Sequence, residues 1–383
     1  MDLQAFITNH TDYLSQFRKR NLHVYKKHPY ALVKYKYTNP PLPDDPEFSW
    51  KRYCRGAVIN TETNRVVCVP PPKAVEITRV SELPETTDEV EYSVLVDGTM
   101  INVFWSGTEW MICTRGEIGG YNRWLPGNTG NRKSFRQMFE ECGMKKEVFD
   151  ALPKQYSYSF LMRHKDNRNV SPINMNQAIL VEVYQYEDTI KRLNTDDYVS
   201  AKITVSYVPS NSQPISCFGE NVVIPNYKCK GYTVKYKHAR YKYINPAFTH
   251  VKRLKDLGDS NNPYLNYLQI RQSGRLKEYL KYYPEHVVDF THYREKIHSL
   301  TNDLYTNYKN VNVTKTKDKK EVPFHLKPFV YEIHGKYLET KQPTTWNDVK
   351  DYIYHLPPKR LMFALNRMEE SVGSESVQPQ GPQ

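Results

Sequence analysis

EYSVLVDGTMINVFWSGTEWMICTRGEIG, residues 91–119, is the stretch whose reading decides the fold. Val94, Val96, Ile101, Val103, Met111 and Cys113 alternate, or nearly alternate, with their neighbours, which is the period of a half-buried sheet. The pattern predicts a strand, a turn carrying Asp97-Gly98, a second strand, another turn, and a third strand leading to Thr114-Arg115-Gly116. Two glycine turns would then set Asp97 and Arg115 near the ends of adjacent strands, where a sheet can hold polar groups over a shared pocket.

On the N-terminal side, Leu3, Phe6, Ile7, Leu14 and Phe17 fall on one side of a short amphipathic helix over 2–17. A Tyr/Lys-rich strand follows at 30–37. NPPLPDDPEF (39–48) is too rich in proline to be regular. Within 50–76, AVIN and VVCV read as a hairpin joined by Thr61–Asn64, with Arg55-Gly56 leading into it and three prolines delivering Lys73. On the C-terminal side, Ser134 caps a helix carrying Phe135, Met138 and Phe139, and a second short helix covers 145–152. YSYSFLMRHKDNRNVSPI (156–173) reads as a strand and a polar turn, with His164 a hydrogen-bonded strand-end residue. ILVEVYQYED (179–188) is a buried strand, and further short strands are expected over 199–224.

Residues 256–368 change character. Phe290, Tyr293, Ile297, Leu300, Leu304 and Tyr308 step by three and four, a helical stripe best read as core packing. Tyr264, Leu265, Leu268, Leu276, Tyr279 and Leu280 mark earlier helices broken at Gly274 and Pro284. Residues 312–323 read as a charged loop. Thr345 caps a helix over Trp346–His355, stopped by Pro357-Pro358, and Arg360–Met368 is a last turn or two. Residues 369–383 carry no apolar core and are expected to be disordered. The expected domains are therefore 1–255, 256–368 and a tail over 369–383.

Composition narrows the class. Hydrophobic residues make 39 % of the 383 and charged residues 25 %, so a folded chain of two or three domains is expected. No apolar run approaches the roughly twenty residues a bilayer demands, and MDLQAFITNH does not read as a secretory leader. The six cysteines are scattered without a C-x-x-C pair, which points to free thiols in a reducing, cytoplasmic setting. Net charge is +12, alongside 31 tyrosines. YKKHPYALVKYKY (25–37) and YKCKGYTVKYKHARYKY (227–243) interleave cations with aromatic rings. Such faces can hold phosphates and stack bases, or can be a tyrosine-lined sheet core with lysines outside.

The order of these features resembles the covalent nucleotidyltransferases: RNA ligases, DNA ligases and mRNA capping enzymes. It is most similar to phage-type RNA ligases, in the versions found in large DNA viruses. An Arg-Gly strand, a hairpin, a proline turn, a lysine and then a hydrophobic-x-Asp-Gly-Thr turn come in the family's order. In that family the turn reads Lys-x-Asp-Gly and the lysine attacks the nucleotide's α-phosphate. Here the lysine position is Leu95. The resemblance gives Arg55 and Lys73 to the nucleotide phosphates and places Asp97, Gly98 and Arg115 in the pocket. It finds motif four, normally Glu-Gly-aromatic-Val, as Lys230-Gly231-Tyr232-Thr233-Val234. Motif five, with its α-phosphate-binding cations, becomes Arg240-Tyr241-Lys242. An exposed edge-strand lysine is the plainer account of Lys242. The strand that would end in Phe-Glu has Phe160 and no glutamate after it.

The resemblance implies an α+β fold: an antiparallel-sheet nucleotidyltransferase, or ATP-grasp-like ligase, domain followed by an all-helical domain that grips RNA. It leaves no intact catalytic set and no metal ligand. The expectation is a degenerate ligase homologue binding RNA or nucleotide, with possible protein partners in a larger assembly, in the host cytoplasm or virion if viral. The alternatives are a working ligase with relocated groups, needing ATP and Mg²⁺, and a structural subunit reusing the fold. For Lys230, an ion pair with Asp97 or Glu182, or a direct phosphate contact in the role of the absent metal, is expected.

Overall fold

The computed structural model describes residues 2–36, 38–78, 90–123, 133–196, 206, 226–236, 239–256 and 262–375, with side chains as far as Arg367. The strands expected over 199–224 and most of the loop after Arg123 lie outside the described residues. The chain divides into two units, the first running to Lys252 and the second taking over at Arg253.

The strands of the first unit are β1 (Leu22–Lys27), β2 (Tyr30–Tyr35), β3 (Arg55–Asn60), β4 (Arg65–Cys68), β5 (Val75–Ile77), β6 (Val90–Val94), β7 (Thr99–Trp105), β8 (Trp110–Cys113), β9 (Tyr156–Arg163), β10 (Gln177–Tyr186), β11 (Ile190–Leu193), β12 (Gly231–Tyr236) and β13 (Ala239–Ile244). Among the described residues they form three sheets, ordered β1-β2-β3-β4, β11-β10-β9-β7-β8 and β5-β13-β12-β6. All pairings are antiparallel except β5 with β13.

The first sheet is buried on both faces at β2 and β3, which is why β2 reads as a near-continuous apolar run. Val33, Tyr35, Ala57 and Ile59 meet Leu3, Phe6, Phe17 and Trp50 on one side. Leu32, Val58 and Cys68 meet Phe104, Cys113 and Ile118 on the other. The N-terminal segment is two helices, Leu3–Asn9 and Tyr13–Lys19, rather than one. Asp2 caps the first, and His10 lies in extended backbone between them, so a single helix is interrupted there.

The second sheet packs one face on the helices Phe135–Glu141 and Lys146–Asp150, through Ile101, Val103, Tyr158, Phe160 and Leu180. Ser134 caps the first of these helices in a full capping box with Gln137. The sheet's other face carries Asn102, Ser159 and Glu182 as cross-strand neighbours, all fully buried. A bulge makes this possible. Leu180 pairs with Phe160 and Glu182 with Ser159, so the extra residue Val181 turns Glu182 to the face opposite Leu180.

The opening stretch is corrected in one respect. β7 and β8 form the expected hairpin, but β6 belongs to the third sheet. Leu95–Gly98 is thus a crossover between sheets rather than a hairpin turn. Asp97 still precedes β7 and Arg115 follows β8, at the same end of that hairpin.

The second unit is helical: Pro263–Gln272, Leu276–Tyr282, Val287–Tyr308, Lys327–Thr340, Trp346–His355 and Pro358–Glu375. Phe290, Ile297, Leu300, Leu304 and Tyr308 bury their stripe. Thr345 caps its helix as read, and Pro358 opens the last one. That helix runs on through Glu375, beyond Met368, because extending a helix anchored by buried Leu361, Ala364 and Leu365 needs no new nucleus. Among the described residues no helix is long and apolar enough to cross a membrane.

Two glycines test this architecture with opposite signs. Gly231 sits at φ +144°, and a Cβ there would lie 2.0 Å from the Tyr243 carbonyl oxygen. Gly231→Ala should destabilise the first unit by about 2–4 kcal/mol, from strain plus overpacking. Gly335 lies within the helix Lys327–Thr340, and a Cβ there would meet nothing within 4 Å. Gly335→Ala should stabilise the second unit by about 0.5–1 kcal/mol. Thermal and urea unfolding of the full chain would show both.

Candidate functional site

The crossover carries Leu95 out of β6. Its N–H donates to the Gly231 carbonyl at 2.8 Å, and its side chain is half-buried. Asp97 is buried and fully engaged. One carboxylate oxygen accepts the N–H groups of Val170 and Ser171, both at 3.0 Å. The other meets Lys230 Nζ at 3.3 Å. Lys230 therefore pairs with Asp97, and its amine also lies 5.7 Å from the ring centre of Phe248. Gly98 admits no side chain, since a Cβ would come within 2.8 Å of the Met162 carbonyl oxygen.

The third sheet is two-faced. Tyr92, Tyr232, Val234, Tyr236 and Tyr241 gather on one side. Because directly paired residues share a face, Glu91, Lys235 and Arg240 line up on the other, as do Ser93, Thr233, Lys242 and Glu76. Ser93 and Thr233 hydroxyls bond at 2.7 Å. Lys242 pairs with Glu76 at 2.7 Å. Arg240 is ion-paired with Glu182, which protrudes from the second sheet, and Lys235 approaches the same carboxylate at 3.5 Å. Lys235 also holds Glu91 at 2.6 Å, and Glu91 takes Arg192 of β11 at 2.7 Å. The Tyr184 hydroxyl donates to Glu182.

The facing surfaces of the two sheets are thus joined by an ionic lattice of two carboxylates and three cations. Burial alone would raise the Glu182 carboxyl, but Arg240, then Lys235 and Arg192, hold it below the usual carboxylate range. Burial likewise works to raise Glu91, and Lys235 and Arg192 overcome it, bringing it down to about 2. Burial sets the Lys235 amine below the ordinary lysine value.

A second cationic group forms where the first sheet meets the β7–β8 hairpin. Gly56 packs on Arg115 so closely that a Cβ would lie 3.0 Å from the Arg115 Cα and carbonyl oxygen. Arg55 donates to the Pro71 carbonyl at 3.1 Å, and the Arg115 guanidinium carbon lies 5.6 Å from the Tyr35 ring centre. Among the described residues the buried Tyr35 hydroxyl has no hydrogen-bond partner. Burial raises it, and Arg55 and Arg115 both pull the other way. Lys73 is half-buried two residues before β5.

The structure therefore brings Arg55 to Arg115, Asp97 to Lys230, and Arg240 to Glu182. The recess at Arg20, Tyr35, Lys36 and Lys51, of ≈ 70 Å³, includes none of the seven phosphate or pocket positions read from the sequence. His164 is the strand-end residue expected: Nδ1 accepts from the Asp166 N–H at 3.1 Å, so Nε2 carries the hydrogen to Glu141 at 2.8 Å. Sequence reading missed Lys235, Glu91 and Arg192. The signal was present in β12–β13, where cations and tyrosines alternate with period two and so had to separate onto two faces.

Among the described residues no three His, Cys, Asp or Glu side chains gather as they would around a metal ion. The acids that could serve Mg²⁺ are committed, Asp97 to Lys230 and two N–H groups, Glu182 to Arg240 and Lys235.

Comparison with protein-family models gave no match. Comparison with curated proteins gave none either. Solved structures do resemble the chain. An archaeal ATP-dependent RNA ligase, form 1, matches with TM-score 0.45 and 15 % identity over 64 % of this chain and 64 % of that one. A putative ATP-dependent DNA ligase from Aquifex aeolicus matches with TM-score 0.44 and 13 % identity over 78 % and 81 %. Form 2 of the archaeal RNA ligase gives 0.44 and 14 % over 74 % of each. What the site can do is set by this chain's own residues.

The ionic lattice makes a pH-dependent prediction. Glu182 and Glu91 both hold their protons less tightly folded than unfolded. Their contribution is fully present above the ordinary carboxyl value of 4.5 and is lost as the pH falls towards about 2. Glu182→Gln leaves Arg240 and Lys235 facing each other without their shared carboxylate, and should cost about 3–5 kcal/mol at neutral pH. Urea unfolding at stepped pH should show the gap between wild type and variant closing as the medium becomes acidic.

Proposed function

We propose that this chain is a ligase-type nucleotidyltransferase homologue that holds RNA, or a nucleotide end, without forming the covalent lysine–nucleotide bond. One observation carries the reading. Leu95 stands at the attacking position of the motif order, and the amine beside that crossover, Lys230, is bound to Asp97 at 3.3 Å. An attacking amine needs a free lone pair aimed at phosphorus. A hydrocarbon offers none, and the Lys230 amine is directed at a buried carboxylate.

What the chain keeps is positive charge on the phosphate-holding side: Arg55, Lys73, Arg115, Arg240 and Lys242. Lys242 would exchange its exposed partner Glu76 for phosphate oxygens, and Arg240 would meet them while remaining paired with Glu182. The charges of Arg55 and Arg115 both act on the buried Tyr35 hydroxyl. Such fixed cations position a phosphate rather than read a base. In this reading residues 1–255 form the binding body, the helical region over 256–368 adds grip on RNA, and protein partners in a larger assembly are accommodated. The thiols of Cys54, Cys68, Cys113 and Cys142 are free and buried, which favours a reducing setting such as the cytoplasm.

Two measurements test it. Incubation with α-labelled ATP and Mg²⁺ or Mn²⁺, followed by a denaturing gel, should leave the protein unlabelled; a covalent adduct on any residue overturns the reading. Affinity for a 5′-phosphorylated RNA oligomer should fall steeply with salt, since each phosphate neutralised releases counterions. A chain that binds no RNA at low salt would also defeat it.

A further inference from the structure

We propose a second contact, distinct from the inter-sheet lattice: a stacking platform for single-stranded RNA formed by Tyr25 and Tyr121, with Lys27, Lys34 and Arg136 placed for the flanking phosphates. This rests on the RNA-holding function proposed above and says where unpaired bases would lie.

The two sequence runs that interleave cations with tyrosines meet different surroundings. In the second, Tyr232, Tyr236 and Tyr241 collect in the apolar face of the third sheet, and Lys235, Arg240 and Lys242 meet acids. In 25–37, Tyr30 and Tyr35 are buried, but Tyr25 is 46 % exposed on β1, between exposed His23 and Lys27. Tyr121 is 59 % exposed, on the segment that follows β8.

Cations are fixed beside both rings. Lys34 Nζ lies 4.7 Å from the Tyr25 ring centre. Lys27 Nζ and Arg136 Cζ each lie 5.4 Å from that of Tyr121. Neither of the latter is a loose side chain: Lys27 donates to the Ile118 carbonyl at 2.8 Å and Arg136 to the Gly119 carbonyl at 3.0 Å. Gly119, at φ +120°, lets the Tyr121 ring lie against the backbone, since a Cβ there would come 2.4 Å from its Cε2. Lys27 therefore joins the two rings, two residues along β1 from Tyr25 and in contact range of Tyr121. Of the neighbouring acids, Glu117 accepts the Asn122 N–H at 2.8 Å, and Glu140 sits 3.9 Å from Arg136 and offsets part of its charge, which leaves Lys27 and Lys34 as the main phosphate-facing cations.

Exposed rings with cations at their margins match a polyanion that also carries flat apolar bases. A duplex hides those faces, so the partner is single-stranded. An acidic protein would need the cations and not the rings.

The test is fluorescence anisotropy of the full chain with a labelled oligouridylate and an abasic oligomer of equal length. Tyr25→Ala with Tyr121→Ala should weaken oligouridylate binding by roughly ten- to a hundred-fold and leave the abasic oligomer unchanged. The double Tyr→Phe variant should retain wild-type affinity. Lys27→Ala with Lys34→Ala should weaken both ligands and flatten the salt dependence. If the wild type binds oligouridylate and the alanine pair binds it equally well, the platform is wrong while the RNA-holding function stands. If the wild type binds neither ligand, both fall together.

Discussion

A carboxylate buried between two sheets constrains this molecule more than any apolar contact does. Glu182 has 1 % of its surface exposed, and an ion so placed must be matched by opposite charge or lose its own. Arg240 and Lys235 supply the match, and Glu91 with Arg192 extends it. The consequence reaches through the third sheet. Once the face towards β10 is ionic, the alternate residues of β6, β12 and β13 must carry the apolar side, and tyrosines fill it. The bulge at Val181 is the geometric half of the same constraint, because without it Glu182 would share the apolar face of Leu180.

The crossover repeats this logic on a smaller scale. Asp97 is held by two N–H groups and Lys230, so its charge is balanced by the protein itself. In the proposed function Leu95 and Lys230 belong together: the resemblance puts an amine at the first position and an acid at the second, and the groups found there offer packing and a charge that matches Asp97.

How much of this could be read from the chain alone follows from what each feature depends on. Ser134 and Thr345 cap as read because capping is settled within four residues. The hairpin around Thr61–Asn64 was legible for the same reason. The helix Lys327–Thr340 was not read. Tyr331 and Leu338 are exposed while Phe329, Val330 and Ile333 are buried, so apolar residues occur all round it and blur the stripe. β1 was missed because only Leu22 of LHVYKK is buried. The Asp-Gly pair looked like a hairpin turn, the strongest short signal of one. Sheet membership is a long-range fact, and β6 pairs with β12 well over a hundred residues away. In the site, the order of Arg55, Lys73, Asp97, Arg115, Arg240 and Lys242 was visible. The pairing of Asp97 with Lys230 was one of those expected, but the other partners were not visible, since an ion pair such as Arg240 with Glu182 depends on which faces meet.

The two tyrosine–lysine runs show why composition alone leaves function open. Both have the same mixture, and sheet position separates them. β12 has neighbours on both sides and a second sheet across its polar face, so its cations find acids and its rings find each other. β1 is an edge strand with β2 on one side only. Lysines on an edge are a common guard against pairing with another chain, and Lys26 and Lys27 can be explained that far. That account has no place for an exposed aromatic ring, since a bare Tyr25 adds apolar surface where an edge is best kept charged. Nor does it explain why Lys27, rather than reaching into water, is tied to the Ile118 carbonyl beside Tyr121. A guard needs only charge; here charge and rings are held together at fixed spacing, which is what an unpaired nucleotide requires.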